Sequence, residues 1–140
     1  MGLASSLLNK IPGQSESKRI SQDLDQRIKF FQQSYTSLSR VTSISSNPDL
    51  IKSNLLYLAT DLYKSMKAQM KSIVNAYVDY HVFIGKIISS IYQCMSSVDL
   101  IINKTKTDSF EAIKRRVSDL MIYITQVITI FNKFKKSIIV

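Results

Sequence analysis

The sequence holds one cysteine, one histidine, no tryptophan, three glycines and two prolines in 140 residues. Each shortage excludes something. Cys94 alone rules out an internal disulfide framework and fits a reducing compartment. Cys94 and His81 are 13 positions apart with no further Cys or His, so neither a zinc-type ligand set nor a bound metal is expected. A nucleophilic triad would need His81 as its base. That residue stands among Tyr80, Val82 and Phe83, surroundings of a packed or surface histidine, and no strand-turn-helix elbow marks a serine. Gly2, Gly13 and Gly85 are too dispersed to cradle a phosphate. Asp23 and Asp25 do not share a helix face, and Asp99 and Asp108 lie near helix ends, where capping suffices. The expectation is a protein without catalytic residues, metal or cofactor. With so little glycine and proline, turns should be few and the elements between them long.

Long hydrophobic runs are also missing. The nearest approach is Leu120 to Asn132, 13 uncharged residues between Asp119 and Lys133. That length suits a buried helix segment and is too short to span a bilayer.

What the sequence does have is helical periodicity. From Asp49 to Asn103, apolar residues recur every three or four positions: Ile51, Leu55, Leu58, Leu62, Met66, Met70, Ile73, Tyr77, Tyr80, Ile84, Ile87, Ile91, Met95, Val98, Ile102. Asn47 is placed to cap this stretch, Pro48 fits its first position, and Asp49 complements the dipole. An earlier stripe runs Ile20, Leu24, Ile28, Phe31, Tyr35, Leu38, Val41, with Ser15 or Ser17 as candidate cap. The last, Phe110 to Ile138, alternates steps of three and four, a coiled-coil heptad pattern. Asp108 and Glu111 are spaced as a capping box before it.

The pattern predicts an all-α chain of long antiparallel helices over about 15–46, 49–103 and 108–138, the central one unbroken. At 1.5 Å per residue that helix would be roughly 80 Å long. Each half of it would meet only one outer helix, leaving Leu56, Val74, Val78, Val82, Ile88, Ile101, Ile122, Ile128 and Ile130 uncovered. The unmet burial calls for a dimeric bundle. The alternative is a break near 79–85, giving a monomeric up-down four-helix bundle. Residues 77–83 hold no usual turn former beyond Asp79, which favours the continuous rod.

Residues 1–14 stand apart as a lipidated, flexible segment before a helical domain over 15–140. Met1-Gly2-Leu3-Ala4-Ser5-Ser6 fits the N-myristoylation pattern, with Gly2 as acceptor. Gly at position 2 with Ser or Thr at position 6 arises by chance in roughly 1% of chains, so the match carries weight. A mitochondrial presequence would want several arginines, and none precedes Arg19. Leu3, Leu7 and Ile11 would share one face of a short amphipathic helix, ended by Pro12-Gly13. Asn103-Lys104-Thr105 is a glycosylation sequon, which a cytosolic chain would not use.

The net charge is +9, from 19 basic and 10 acidic residues, and it favours acidic partners. The basic residues cluster: Lys10, Lys18 and Arg19 beyond the lipid site; Lys64, Lys67 and Lys71 on one helix face; Lys114, Arg115 and Arg116; Lys133, Lys135 and Lys136. One myristoyl chain anchors marginally, and a basic patch makes the anchoring stable. The expected partner is therefore anionic membrane lipid, contacted by these twelve residues and Gly2 on the cytosolic leaflet. The expected assembly is a self-associating helical scaffold. In general character the combination is similar to retroviral matrix domains, though no residue role carries over. Two other readings fit less of the sequence: a soluble module for a protein partner, and a nucleic-acid-binding protein. The latter suffers because the aromatic residues fall at core positions, without interleaved arginine.

Overall fold

The computed structural model describes residues 7, 8 and 10–138. Four helices account for nearly all of them: α1 (Gln14–Val41), α2 (Pro48–Ala76), α3 (His81–Lys104) and α4 (Phe110–Ile138). There is no strand among the described residues. The helices alternate in direction around a square. α1 packs on α2 and α4, and α3 packs on α2 and α4, with the α1–α2 contact much the sparsest.

The all-α class is the one the periodicity predicts. The continuous central helix is corrected. It ends at Ala76, and α3 starts at His81, so the expected 49–103 rod is two antiparallel helices of a four-helix bundle. The reversal needs no glycine because no described residue has positive φ. Tyr77 closes α2 at φ −120°, ψ 31°, its N–H bonded to Ile73 O. Tyr80 N–H then donates to Tyr77 O at 2.8 Å, and Ile84 N–H to Tyr80 O at 3.0 Å opens α3. Burial drives the bend. Tyr77 and Tyr80 are both buried, against Phe83 and Phe134, whose rings stack at 3.9 Å. Tertiary packing overrides a local preference for continued helix, as it commonly does. Of the side chains that seemed to require a second chain, Ile101 is buried and Leu56, Val82, Ile88, Ile128 and Ile130 are half-buried within one, while Val74, Val78 and Ile122 stay exposed.

Helix starts follow capping chemistry, with two changes of residue. Asn47 Oδ1 accepts from Asp49 N–H at 3.0 Å, with Pro48 in the first turn, as expected. α1 starts at Gln14 behind Gly13 with no side-chain cap, so neither Ser15 nor Ser17 serves. At α4 the cap is Ser109, whose hydroxyl accepts from Ala112 N–H at 3.2 Å. Asp108 turns instead to Arg116, with 2.9 Å between Nε and Oδ2.

The core registers differ in instructive places. In α4, Ile113, Val117, Leu120, Ile124, Val127, Phe131, Phe134 and Ile138 are all buried, as the heptad requires. In α3 the buried set is Phe83, Ile87, Ile91, Cys94, Met95, Val98 and Ile101, while Ile84 and Ile102 are only half-buried. The break at Tyr77–Tyr80 resets the count from which that stripe was projected. In α1, Arg27 and Ser34 occupy core positions and Tyr35 is 40% exposed. Ser34 satisfies its hydroxyl on Phe30 O of its own helix, at 2.9 Å.

One distance separates the two architectures. Ser53 lies near the start of α2 and Ser97 near the end of α3, at one level of adjacent antiparallel helices. Spin labels there should report about 10–20 Å, since packed helices are about 10 Å apart. A continuous helix would place the same labels about 65 Å apart.

Candidate functional site

The antiparallel arrangement brings four helix ends to one pole: the start of α1, the end of α2, the start of α3 and the end of α4. Each contributes exposed cations: Lys18 and Arg19 from α1, Lys71 from α2, Lys86 from α3, Lys133 and Lys136 from α4. All six lie within five residues of their helix end, or about 8 Å at 1.5 Å per residue. None has an ion-pair partner among the described residues. The nearby acids are already engaged. Lys10 Nζ lies 3.3 Å from Asp79 and 3.8 Å from Glu16, Lys135 holds Asp25, and Arg27 holds Asp23.

Cutting each helix at its midpoint shows the asymmetry. The half with the α2–α3 turn carries eleven basic and four acidic residues, a net +7. The other half carries eight and six, a net +2. There Arg116 pairs with Asp108, and Lys114 lies 3.9 Å from Glu111 and 5.3 Å from the Phe110 ring centre.

Two large apolar side chains stand out at the basic pole. Ile11 is 80% exposed and Val78 is 70% exposed. Each neighbours a member of the Lys10–Asp79 pair, which clips the segment before α1 to the α2–α3 turn.

Beneath the turn lies a polar seam between α1 and α2. Arg27, 7% exposed, donates from Nε to Asp23 (2.8 Å), from Nη1 to Gln69 Oε1 (2.7 Å) and from Nη2 to Ser72 Oγ (2.8 Å). Tyr77 donates its hydroxyl to the same Asp23 oxygen, and its ring centre lies 5.8 Å from the Arg27 guanidinium carbon. Tyr80 donates to Glu16 Oε1 at 3.1 Å. No buried side-chain polar atom among the described residues is without a partner. Burial, then the Asp23 carboxylate that accepts its proton, pushes the Tyr77 hydroxyl well above the usual tyrosine range. Burial, then Glu16, pushes Tyr80 up to about 12. Both phenols are held protonated as hydrogen-bond donors. Burial likewise pushes the Cys94 thiol up to about 12.

The twelve basic residues singled out in the sequence are not brought to one place. Lys18, Arg19, Lys71, Lys133 and Lys136 gather at the pole, unpaired. Lys10 and Lys135 are there too, but each is bound to acid. Lys64 and Lys67 lie farther along the exposed face of α2. Lys114, Arg115 and Arg116 sit at the opposite pole. Gly2 and Leu3 lie outside the described residues. Leu7 is buried in the bundle while Ile11 is exposed, so these two do not share an outward face as the expected amphipathic helix would need. Sequence reading missed Lys86, which has no basic neighbour in the chain and joins the ring only through folding. It also missed Arg27 as a core residue. No group of metal-binding side chains occurs among the described residues, and no described helix is long and apolar enough to cross a membrane. No known protein family, curated protein or solved structure matches the chain.

Two measurements test the seam. Arg27→Met should lower stability by about 2–4 kcal/mol in urea unfolding, because Asp23, Gln69 and Ser72 lose their shared donor. Loss under 0.5 kcal/mol would show that the network is dispensable. The second concerns alkali. Folded Tyr77 and Tyr80 have pKa values above the ordinary 10, so the native state keeps protons that the unfolded chain releases. Their contribution is complete below about pH 10 and falls as pH rises toward 12. Stability measured from pH 8 to 11.5 should decline less steeply in a Tyr77→Phe, Tyr80→Phe double variant than in the wild type.

Proposed function

We propose that the protein is an N-myristoylated peripheral membrane protein of the cytosolic leaflet, a helical scaffold held by a lipid at Gly2 and by its basic pole. The observation that carries this reading is the uncompensated charge at the pole where the chain enters the bundle. Leu7 is buried three residues before Lys10, which is clipped to the α2–α3 turn. Five residues of chain span at most about 17 Å, so an acyl group on Gly2 stays close to that pole.

The magnitudes fit a two-signal anchor. One myristoyl chain binds a bilayer with an association constant of about 10⁴ M⁻¹, which is marginal and reversible. Each cation near an anionic leaflet adds on the order of 1 kcal/mol, but only within about a Debye length, 8 Å at physiological salt. Lys18, Arg19, Lys71, Lys86, Lys133 and Lys136 meet that limit together. Lys114, Arg115 and Arg116 lie about 35 Å from the polar end of α4 and serve another purpose, solubility being sufficient. Exposed Tyr57, Tyr92 and Ile122 on the outer faces offer lateral contacts for self-association of anchored bundles.

The test is acylation and its consequence. Protein expressed in eukaryotic cells should show a mass gain of about 210 Da on its N-terminal peptide. It should also float with vesicles containing phosphatidylserine, and Gly2→Ala should lose at least 10-fold in that partition. An unmodified N-terminus, or equal flotation of the two proteins, would remove the lipid from the reading.

A further inference from the structure

We infer that the bundle docks end-on: its long axis stands across the plane of an anionic bilayer, with Ile11 and Val78 set into the lipid interface inside a ring of Lys18, Arg19, Lys71, Lys86, Lys133 and Lys136. The inference rests on the membrane reading above and adds the contacting surface and its orientation.

The six cations come from all four helices, each from the final turn or two at the same pole. A flat surface meets all six only when it lies across the bundle axis. A bundle lying on α2 would use Lys64, Lys67 and Lys71 with Tyr57, and would leave the cations of the other three helices facing away. Lys64 stands 12 residues before the end of α2, about 18 Å from the pole and roughly two Debye lengths from a membrane touching it.

Ile11 and Val78 lie beyond the helix ends, in the segment before α1 and in the α2–α3 turn. At 80% and 70% exposure they are costly in water, yet the Lys10–Asp79 clip holds both segments at the tip. An apolar tip ringed by lysines matches a bilayer interface, where aliphatic side chains enter the acyl boundary and lysine stems extend back to phosphate. A nucleic acid backbone would answer the charge and leave the isoleucine and valine without a role.

Orientation can be read directly. Cys94 is fully buried, so a fluorophore on an introduced cysteine reports one place. Acylated full-length protein is labelled singly at Val78→Cys, Tyr57→Cys or Ile44→Cys and mixed with phosphatidylserine vesicles carrying a quencher on the lipid. Ile44, 70% exposed, marks the far pole, and Tyr57, 81% exposed, marks the outer face of α2. Quenching is expected at position 78 and not at 57 or 44. In parallel, Lys71→Glu, Lys86→Glu, Lys133→Glu and Lys136→Glu together should reduce vesicle partition at least 100-fold. Arg40→Glu, Lys104→Glu, Lys106→Glu and Arg115→Glu together change net charge equally at the far pole and should reduce it less than about 3-fold. Circular dichroism checks both variants, and the single-label readout stands if either misfolds. Quenching at 57 or 44 equal to that at 78, or equal losses from the two reversals, overturns end-on docking and leaves membrane binding intact. Wild-type protein that ignores vesicles removes the membrane reading and the inference with it. If that same protein binds duplex DNA and the polar reversal abolishes this, the pole is a nucleic-acid surface.

Discussion

The reversal at Tyr77–Tyr80 is held by side chains and not by special backbone chemistry. No described residue there adopts positive φ, and no glycine, proline or asparagine falls between Tyr77 and Tyr80. Two tyrosine rings are buried against Phe83 and Phe134, and their hydroxyls reach back to Asp23 and Glu16 of α1. Those hydroxyls are why tyrosine suits the place: each presents an apolar body to the core and a donor to a carboxylate. Every later feature depends on this bend. It makes α2 and α3 neighbours, lets α4 return beside α1, and so collects four helix ends and their cations at one pole.

Legibility in the sequence tracked the range of the interaction. The Asn47-Pro48-Asp49 start of α2 and the heptad of α4 rest on neighbours within a turn or two, and both could be read. Helical periodicity likewise gave the all-α class. The bend stood in the sequence only as the alternative break near 79–85, because its cause is burial against Phe134, more than fifty residues away. The α3 stripe, projected across the break, held at Ile87, Ile91, Met95 and Val98 and missed at its ends, where Phe83 and Ile101 are buried and Ile84 and Ile102 only half-buried. Arg27 at a core position could not be read, since the partners that satisfy it, Gln69 and Ser72, belong to α2. The pole was half legible. Its α1 and α4 lysines cluster along the chain, whereas Lys86 is solitary until the fold brings it beside them.

Charge and shape are arranged to different ends in the two halves of the molecule. Around the turn, each acid has a partner and six cations have no ion-pair partner among the described residues. At the other pole, acids and bases are nearly balanced, and Arg116 and Lys114 are occupied locally. A gradient of this kind orients the molecule toward any anionic plane before contact. In the docking proposed above, Ile11 and Val78 give the final approach a chemical preference that charge alone lacks.

The sparse seam between α1 and α2 bears on the order in which the chain assembles. α2 and α3 each pack extensively on the helix next in sequence, so two helical hairpins can form from local contacts. α1 differs: its extensive partner is α4, the last helix, and its packing toward α2 is sparse and includes the hydrogen bonds of Arg27. During synthesis it emerges first and completes its packing last. Its wait in water is eased by its composition, since glutamine, serine and charged residues dominate its outer face and Arg27 and Ser34 interrupt its apolar stripe. Closing α1 against α4 joins segments separated by nearly the whole chain, a slow, long-range step. The same step brings Lys18 and Arg19 beside Lys133 and Lys136, so the charged pole exists only once the full bundle has closed.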